Sequence, residues 1–353
     1  MHQHEDYFSD DKQLSRKERK RLSAKDRSKY KKTDRKKMTD GPLKEGLLVG
    51  RVLSITAQGF LVDNEGKNYV CTLRGVLKKE RSQEKNLVAV GDLVHFEEIG
   101  DKEGVIEWIE PRKSLLYRAE KLSRHKRHIL AANIDQVLIT ASVSEPTLKP
   151  SLLDRYVIAA KKGRLTPVIV INKCDLITEE SREFFQKVIA AYKKIGIEIL
   201  LVSAQAKEGI DELKEVMRGK ASVFSGQSGV GKSSLINEVA GLVLETRKTV
   251  KRTGKGAHTT TTAELLPLDC GGFVIDTPGV QSFGLWNLSE EEIRDYYTEI
   301  QALSHKCRYL NCTHSHEPEC AVIRAVEKGK ISEVRYDSYL ALIYELDQEH
   351  KRR

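Results

Sequence analysis

The eight residues Gly226-Gln227-Ser228-Gly229-Val230-Gly231-Lys232-Ser233 constrain this chain more than any other stretch. They fit the pattern Gly-x4-Gly-Lys-Ser in full, follow the apolar run Ala221 to Phe224 and open the helical run Lys232 to Ala240. Strand, Gly-rich turn and helix in that order predict an α/β domain whose parallel sheet ends at a phosphate-binding loop. The physical reason lies in the backbone. Glycines let the N–H groups of Gly226 to Gly231 curl around a β-phosphate, and the helix N-terminus adds a favourable dipole. Lys232 then bridges β- and γ-phosphate oxygens, and the Ser233 hydroxyl ligates Mg²⁺.

A phosphate loop does not choose between ATP and GTP. Asn172-Lys173-Cys174-Asp175, at the end of the strand-like run Pro167 to Ile171, supplies the choice. The Asp175 carboxylate can accept from both guanine N1–H and the exocyclic amine, Lys173 can lay its stem over the base, and Asn172 can brace base and phosphate loop. Ser203-Ala204-Gln205, after the strand Ile197 to Val202, is the expected companion, presenting a backbone N–H to guanine O6. Asp276-Thr277-Pro278-Gly279 closes the apolar run Gly272 to Ile275, where Asp276 would hold Mg²⁺ through water and Gly279 would sense the γ-phosphate. The guanine motif precedes the phosphate loop, the reverse of the usual order, so the predicted domain is a circularly permuted GTPase.

Between phosphate loop and sensor lies the polar, Gly-rich stretch Thr253 to Thr262, as a switch segment requires. Thr260 is the expected Mg²⁺ ligand there. Many GTPases place a water-orienting Gln after the sensor glycine; here that residue is Val280, whose side chain cannot orient water. The catalytic role therefore moves to His258, with Gln281 as the alternative.

Outside this domain the chain changes character. Residues 1–40 hold fourteen Lys and Arg against eight Asp and Glu, six of the nine excess positive charges. With almost no apolar residues, residues 1–44 are expected to be a disordered basic arm with affinity for phosphate backbones. Residues 45–112 read as about five short strands with turn punctuation, the pattern of a small Greek-key barrel such as an OB-fold; such barrels bind nucleic acid in some proteins and are structural in others. A basic linker, Arg112 to His128, leads into the alternating strands and helices of residues 113–288. No apolar run approaches the roughly 18 residues needed to span a bilayer and no signal peptide is evident, so a cytoplasmic location is expected, with no membrane. Residues 289–353 read as mainly helical around Cys307, Cys312, His314 and Cys320. Three thiolates and one imidazole can close a tetrahedral shell, so one structural Zn²⁺ is expected, with His316 as the alternative fourth ligand. The helix Ser332 to Glu349 should pack Tyr339, Leu342, Ile343 and Leu346 against this module.

Barrel, reversed GTPase motifs and Cys/His cluster, in that order, resemble the RsgA (YjeQ) family of bacterial small-ribosomal-subunit biogenesis GTPases. The resemblance is carried by Asn172 to Asp175, Gly226 to Ser234, His258 to Thr261, Asp276 to Gly279 and Cys307 to Cys320. It implies an OB-fold, a permuted GTPase domain and a zinc domain acting late in maturation of the 30S subunit. It also implies contact with 16S rRNA, stimulation of hydrolysis by the subunit and a catalytic His258. Ala257 departs from the family, which usually has a basic residue there, although Lys251, Arg252 and Lys255 lie nearby. The expected partners are GTP, GDP and the small subunit, and the expected state is a monomer. Rival readings are a permuted GTPase for the large subunit, a nucleic-acid-binding module with a non-catalytic phosphate loop, and a P-loop ATPase.

Overall fold

The computed structural model describes residues 44–74, 87–118, 128–241, 263–276 and 288–351. The chain divides into residues 1–47 and a second unit, Leu48–Arg353, that holds barrel, GTPase sheet and C-terminal helices together. Most of the expected basic arm lies outside the described residues. No helix among the described residues is long and apolar enough to cross a membrane.

Five strands close the barrel: β1 (Leu48–Ile55), β2 (Phe60–Asn64), β3 (Lys67–Leu73), β4 (Leu93–Gly100) and β5 (Glu103–Ile109). Neighbours run β1-β2-β3-β5-β4, and β4 returns to pair with β1. All pairs are antiparallel except β3 with β5. Alternate residues face inward, so Val52, Val62, Tyr69, Cys71, Val94, Phe96 and Ile106 fill the interior, with Tyr69 and Phe96 ring centroids 5.0 Å apart. Below the barrel, Arg112 donates to both carboxylate oxygens of the buried Asp92, each at 2.8 Å.

The stretch read as a basic linker, with the four residues after it, contributes a two-stranded ladder, β6 (Leu115–Arg118) with β7 (His128–Ala132), while residues 119–127 are not described. The surrounding charge hid this signal, because only short apolar patches such as Leu116, Ile129 and Ala131 are buried.

The GTPase sheet follows with β8 (Gln136–Ser142), β9 (Thr166–Asn172), β10 (Glu198–Leu201), β11 (Ala221–Ser225), β12 (Glu264–Pro267) and β13 (Phe273–Asp276). Their spatial order is β10-β9-β8-β11-β13-β12, parallel throughout except for β12 against β13. The chain enters at β8, beside the phosphate-loop strand β11 in the middle of the sheet, and reaches β11 only after running out to the β10 edge. Both faces are covered, which explains near-continuous apolar strands. Val137, Ile139, Ile169, Ile171, Val223 and Ile275 face α1 (Pro150–Lys162) and α2 (Glu179–Lys194). Leu138, Val168, Val170, Phe224 and Val274 face α3 (Ile210–Met217) and α4 (Lys232–Ala240). Period-2 alternation thus builds two cores from one set of strands. Thr178 begins α2 with a reciprocal capping box to Ser181.

β12, which the sequence reading missed, pairs on its free side with barrel strand β1, Ser54 opposite Glu264. Barrel and GTPase sheet therefore form one continuous eleven-stranded sheet.

The C-terminal part is helical: α5 (Glu290–Tyr296), α6 (Thr298–Ser304), α7 (Ala321–Glu327) and α8 (Glu333–Lys351). Its core contains Ile293, Tyr297, Ile300, Val322, Tyr339 and Leu342, with Ile343 and Leu346 packed against it, and it takes in Ile158 from α1. The same joint is polar at its centre. Buried Asp154 of α1 accepts from Arg335 and Ser338 of α8 and, at 2.8 Å, from the Tyr297 hydroxyl. Arg335 also donates to Glu299 at 2.7 Å and lies 4.1 Å from the Tyr297 ring centroid. Burial works against its charge, but Asp154, Tyr297 and Glu299 outweigh that and hold its pKa above the ordinary guanidinium value.

Candidate functional site

Three of the expected nucleotide motifs sit at one end of the sheet, because parallel strands end on the same edge: Asn172 ends β9, Gly226 follows β11 and Asp276 ends β13. Ser203 follows β10 on that edge as well.

The phosphate loop is built tightly. Gly226 has φ +152°, and a Cβ there would stand 2.1 Å from the Thr140 carbonyl oxygen. Gly231, φ +91°, caps α4, and its Cβ would stand 2.2 Å from Asn172 Nδ2. Two glycines are thus required by close approach as well as by dihedral angle. Val230 is buried, while Ser228, Gly229, Ser233 and Ser234 are exposed and Gln227 is half-buried. Lys232 folds back over the loop, its Nζ donating to the carbonyls of Gly226 at 2.9 Å and Gln227 at 2.5 Å. Burial lowers its pKa, which is the cost of holding an ammonium where phosphates would bind.

Asn172 joins the motifs. Its Nδ2 donates to the Val230 carbonyl at 2.9 Å, and its Oδ1 accepts the Ala204 N–H at 3.2 Å, so a single buried amide ties the phosphate loop to the Ser203-Ala204 loop. Lys173 takes the left-handed conformation, φ 62°, which turns its side chain across the strand ends to donate to the carbonyls of Ser144 and Glu145, each at 3.0 Å. Asp175 stands exposed on the following turn, Cys174–Leu176. The buried Ser203 hydroxyl accepts from Ala206 N at 2.9 Å, and Ser203 and Glu208 exchange backbone hydrogen bonds. Cys174 is held beside Glu208, with Sγ at 3.5 Å from Oε2. Burial first, then Glu208, pushes its thiol up to about 11.

The carbonyls of Ser144 and Glu145 were invisible in sequence, since any residue supplies a carbonyl and only β8's place beside β9 brings them under Lys173. Beside them a shallow cleft is lined by Pro146, Thr147, Tyr156, Gln227 and Val230 among others. His258, Thr260, Gly279 and Gln281 lie outside the described residues, as does the side chain of Asp276.

The second site is the Cys/His cluster. Cys307 Sγ lies 3.8 Å from Cys320 Sγ, and each lies 3.5 Å from His314 Nδ1. With Cys312 added, the four ligand atoms all lie within 4.8 Å of one another. A tetrahedral ion about 2.3 Å from sulfur and about 2.0 Å from nitrogen sets S···S at about 3.8 Å and S···N at about 3.5 Å, so the donor set and its spacing fit such an ion. Burial lowers the His314 pKa, favouring the neutral ring that ligates, and burial pushes the Cys312 thiol up to about 12, so a thiolate there requires a compensating cation. His316 stays outside the cluster, exposed, with Nδ1 2.7 Å from Ser315 Oγ. Around the ligands, Glu317 accepts from Thr313 N and Thr313 Oγ1 at 2.6 Å each. Tyr336 of α8 donates to the His314 carbonyl at 2.7 Å, which holds the backbone that carries the His314 ring.

Comparison with known proteins bears on both sites. Residues 109–286 match the family model described as RsgA GTPase, and residues 49–106 match the RsgA N-terminal domain. A protein of Chlorobaculum parvum named small ribosomal subunit biogenesis GTPase RsgA is 40% identical over 312 residues, covering 85% of this chain and 99% of its own. One of the same name from Bacteroides fragilis is 38% identical, covering 85% and 97%. Among solved structures, YjeQ from Thermotoga maritima superposes with a TM-score of 0.67 at 35% identity, over 85% of this chain and 98% of that one. YloQ, described as a circularly permuted GTPase, gives 0.66 at 29%, over 86% and 96%.

Proposed function

The chain belongs to the RsgA family of GTPases, and from that premise we propose that it acts as a nucleotide-dependent switch in late maturation of the small ribosomal subunit. In this reading it binds 16S rRNA in its GTP state and leaves after hydrolysis, as a cytoplasmic monomer. The observation that carries the guanine part is the Asn172 bridge, which ties the phosphate loop to the loop that faces the base. Gly226 to Ser234 cradle the phosphates, Lys232 turns from the loop carbonyls to the β- and γ-oxygens, and Ser233 and Thr260 ligate the Mg²⁺ that accompanies GTP. Asp175 reads guanine N1–H and the amine, Lys173 covers the base, and the Ala204 N–H shares its bond between Asn172 and guanine O6. Asp276 and Gly279 sense the γ-phosphate, and His258 positions the water. Cys307, Cys312, His314 and Cys320 hold one structural zinc, which supplies folding free energy to the C-terminal helices and no chemistry.

A differential affinity of about 2.7 kcal/mol between nucleotide states gives roughly a hundredfold difference in subunit binding. The test is GTP turnover with purified 30S, 50S and 70S particles at stated salt, with sedimentation in GDP and in a non-hydrolysable GTP analogue. Stimulation by 30S alone and tighter binding with the analogue are expected. Stimulation by 50S would move the function to the large subunit, and equal sedimentation would sink the switch. His258→Ala should lower turnover by roughly one to three orders of magnitude with nucleotide affinity nearly unchanged. Competition by excess ATP against labelled GDP should fail if Asp175 reads the base.

A further inference from the structure

The joint between barrel and GTPase sheet lies beside the sensor strand. β12 is four residues long and has β13 on one side and β1 on the other. Across the three strands, Asp276, Glu264 and Ser54 stand in one row at the nucleotide end. Ala263 precedes that row and follows directly on the stretch carrying His258 and Thr260. A backbone irregularity between Val52 and Ser54 lets β1 serve two cores: Val52 points into the barrel, whereas Leu53 packs with Ala263, Leu265 and Ile275 in the GTPase core. Ile55 and Leu61 pack against the same cluster.

The opposite end of this three-strand ribbon is bolted by a side chain. Arg51 projects from β1, donates to the Asn133 carbonyl at 3.1 Å, and places its guanidinium 5.3 Å from the Phe273 ring centroid at the start of β13. Burial lowers its pKa below the ordinary guanidinium value, and Asp135, at the entrance to β8, and Asp63 on β2 offset part of that cost. Arg51 therefore touches what precedes β8, the neighbour of the phosphate-loop strand, and the root of β13, which ends at the phosphate sensor. The lead-in to β8 and the root of β13, the two neighbours that flank the phosphate-loop strand β11, are thus joined at their far ends by one barrel residue.

We infer that Arg51 is a positioning residue for GTP hydrolysis, through which the barrel sets the register of β12 and β13 against the phosphate loop. The inference rests on the GTPase reading and adds that hydrolysis depends on a residue outside the GTPase domain that touches no nucleotide. Because the base and the α- and β-phosphates are held from the ends of β9, β10 and β11 and only the γ-phosphate sensor follows β13, loosening β13 should act on turnover more than on affinity.

The test is steady-state GTP hydrolysis without ribosomes, together with the Kd of a non-hydrolysable analogue, for the full chain. Arg51→Ala should lower kcat about tenfold while KM and the analogue Kd stay within about twofold. Arg51→Lys, which keeps charge over Phe273 but loses the planar fork, should recover part of that loss. Lys67→Ala, on the far side of the barrel, should match the wild type. If Arg51→Ala does not fold, Phe273→Leu carries the test, with the same selective loss in kcat at smaller size. Unchanged kcat in a folded Arg51→Ala, or equal losses in kcat and affinity, would overturn the inference. Absence of hydrolysis by the wild type both without ribosomes and with added 30S particles would instead overturn the GTPase reading.

Discussion

The GTPase sheet is joined to its two neighbours by opposite means. Its joint to the barrel is a backbone pairing of β1 alongside β12, flanked by apolar packing of Leu53, Ile55 and Leu61 and by Arg51 at the far end. Its joint to the C-terminal helices centres on side chains, the buried Asp154, Arg335, Tyr297 and Ser338 with the half-buried Glu299, set in apolar surroundings. Backbone pairing tolerates most side chains, whereas a buried charge loses its compensation when one partner goes. The first joint should therefore tolerate substitution and adjust by small shifts, and the second should be intolerant and rigid.

The largest expected effect lies beyond the second joint. Chelating the metal, or changing Cys320→Ala, should remove apparent binding energy on the order of 10 kcal/mol and melt the C-terminal helices early in a thermal scan. Retention of the native transition with no bound zinc by elemental analysis would refute a structural metal. Next is Arg335→Met, expected to cost about 3–5 kcal/mol in denaturant unfolding, because it leaves the buried Asp154 and the half-buried Glu299 without their cation. Asp154→Asn should cost less, since Arg335 keeps Glu299. A loss under about 1 kcal/mol for Arg335→Met would place the joint's strength in its apolar contacts. Within the sheet, Asn172→Ala leaves the Val230 carbonyl and Ala204 N–H without partners, and guanine-nucleotide affinity should fall roughly tenfold to a hundredfold by titration. At the barrel joint Ser54→Ala should change stability by no more than about 0.5 kcal/mol, since its pairing uses the backbone; a larger change would show that its side chain matters.

The smallest effect is one of rate. With a thiol pKa of about 11, Cys174 holds about one part in a thousand thiolate at pH 8, so alkylation should be far slower than in the unfolded chain. The shift is upward, so its contribution to stability is complete below the ordinary thiol pKa and is lost as pH rises through about 11. Fast labelling of native protein at pH 8 would mean that the Asn172 to Asp175 turn opens readily.

Legibility in the sequence followed distance along the chain. Gly226 to Ser233 could be read because their chemistry is the spacing of consecutive N–H groups. Cys307, Cys312, His314 and Cys320 could be read because four soft ligands within fourteen residues have few other uses. The helix Glu179–Lys194 was legible from its own period and cap. The ladder of β6 and β7 and the strand β12 were missed, being short and charged or isolated, and gaining their stability from partners far away in sequence. The sequence favoured His314 and kept His316 as the alternative; the turn at Thr313 to Glu317 separates the two by direction.

By itself the sequence determined the chemistry this chain can carry: phosphate binding, guanine reading and a soft-metal cluster, each in residues close enough to act before any long-range packing is known. It also determined the reversed motif order. Only the tertiary structure decided that β8 lies beside β11, that Asn172 bridges two loops, that Asp154 meets Arg335 across 181 residues, and that a barrel strand borders β12. Those pairings depend on which apolar faces close against each other, and that choice is made by the whole core.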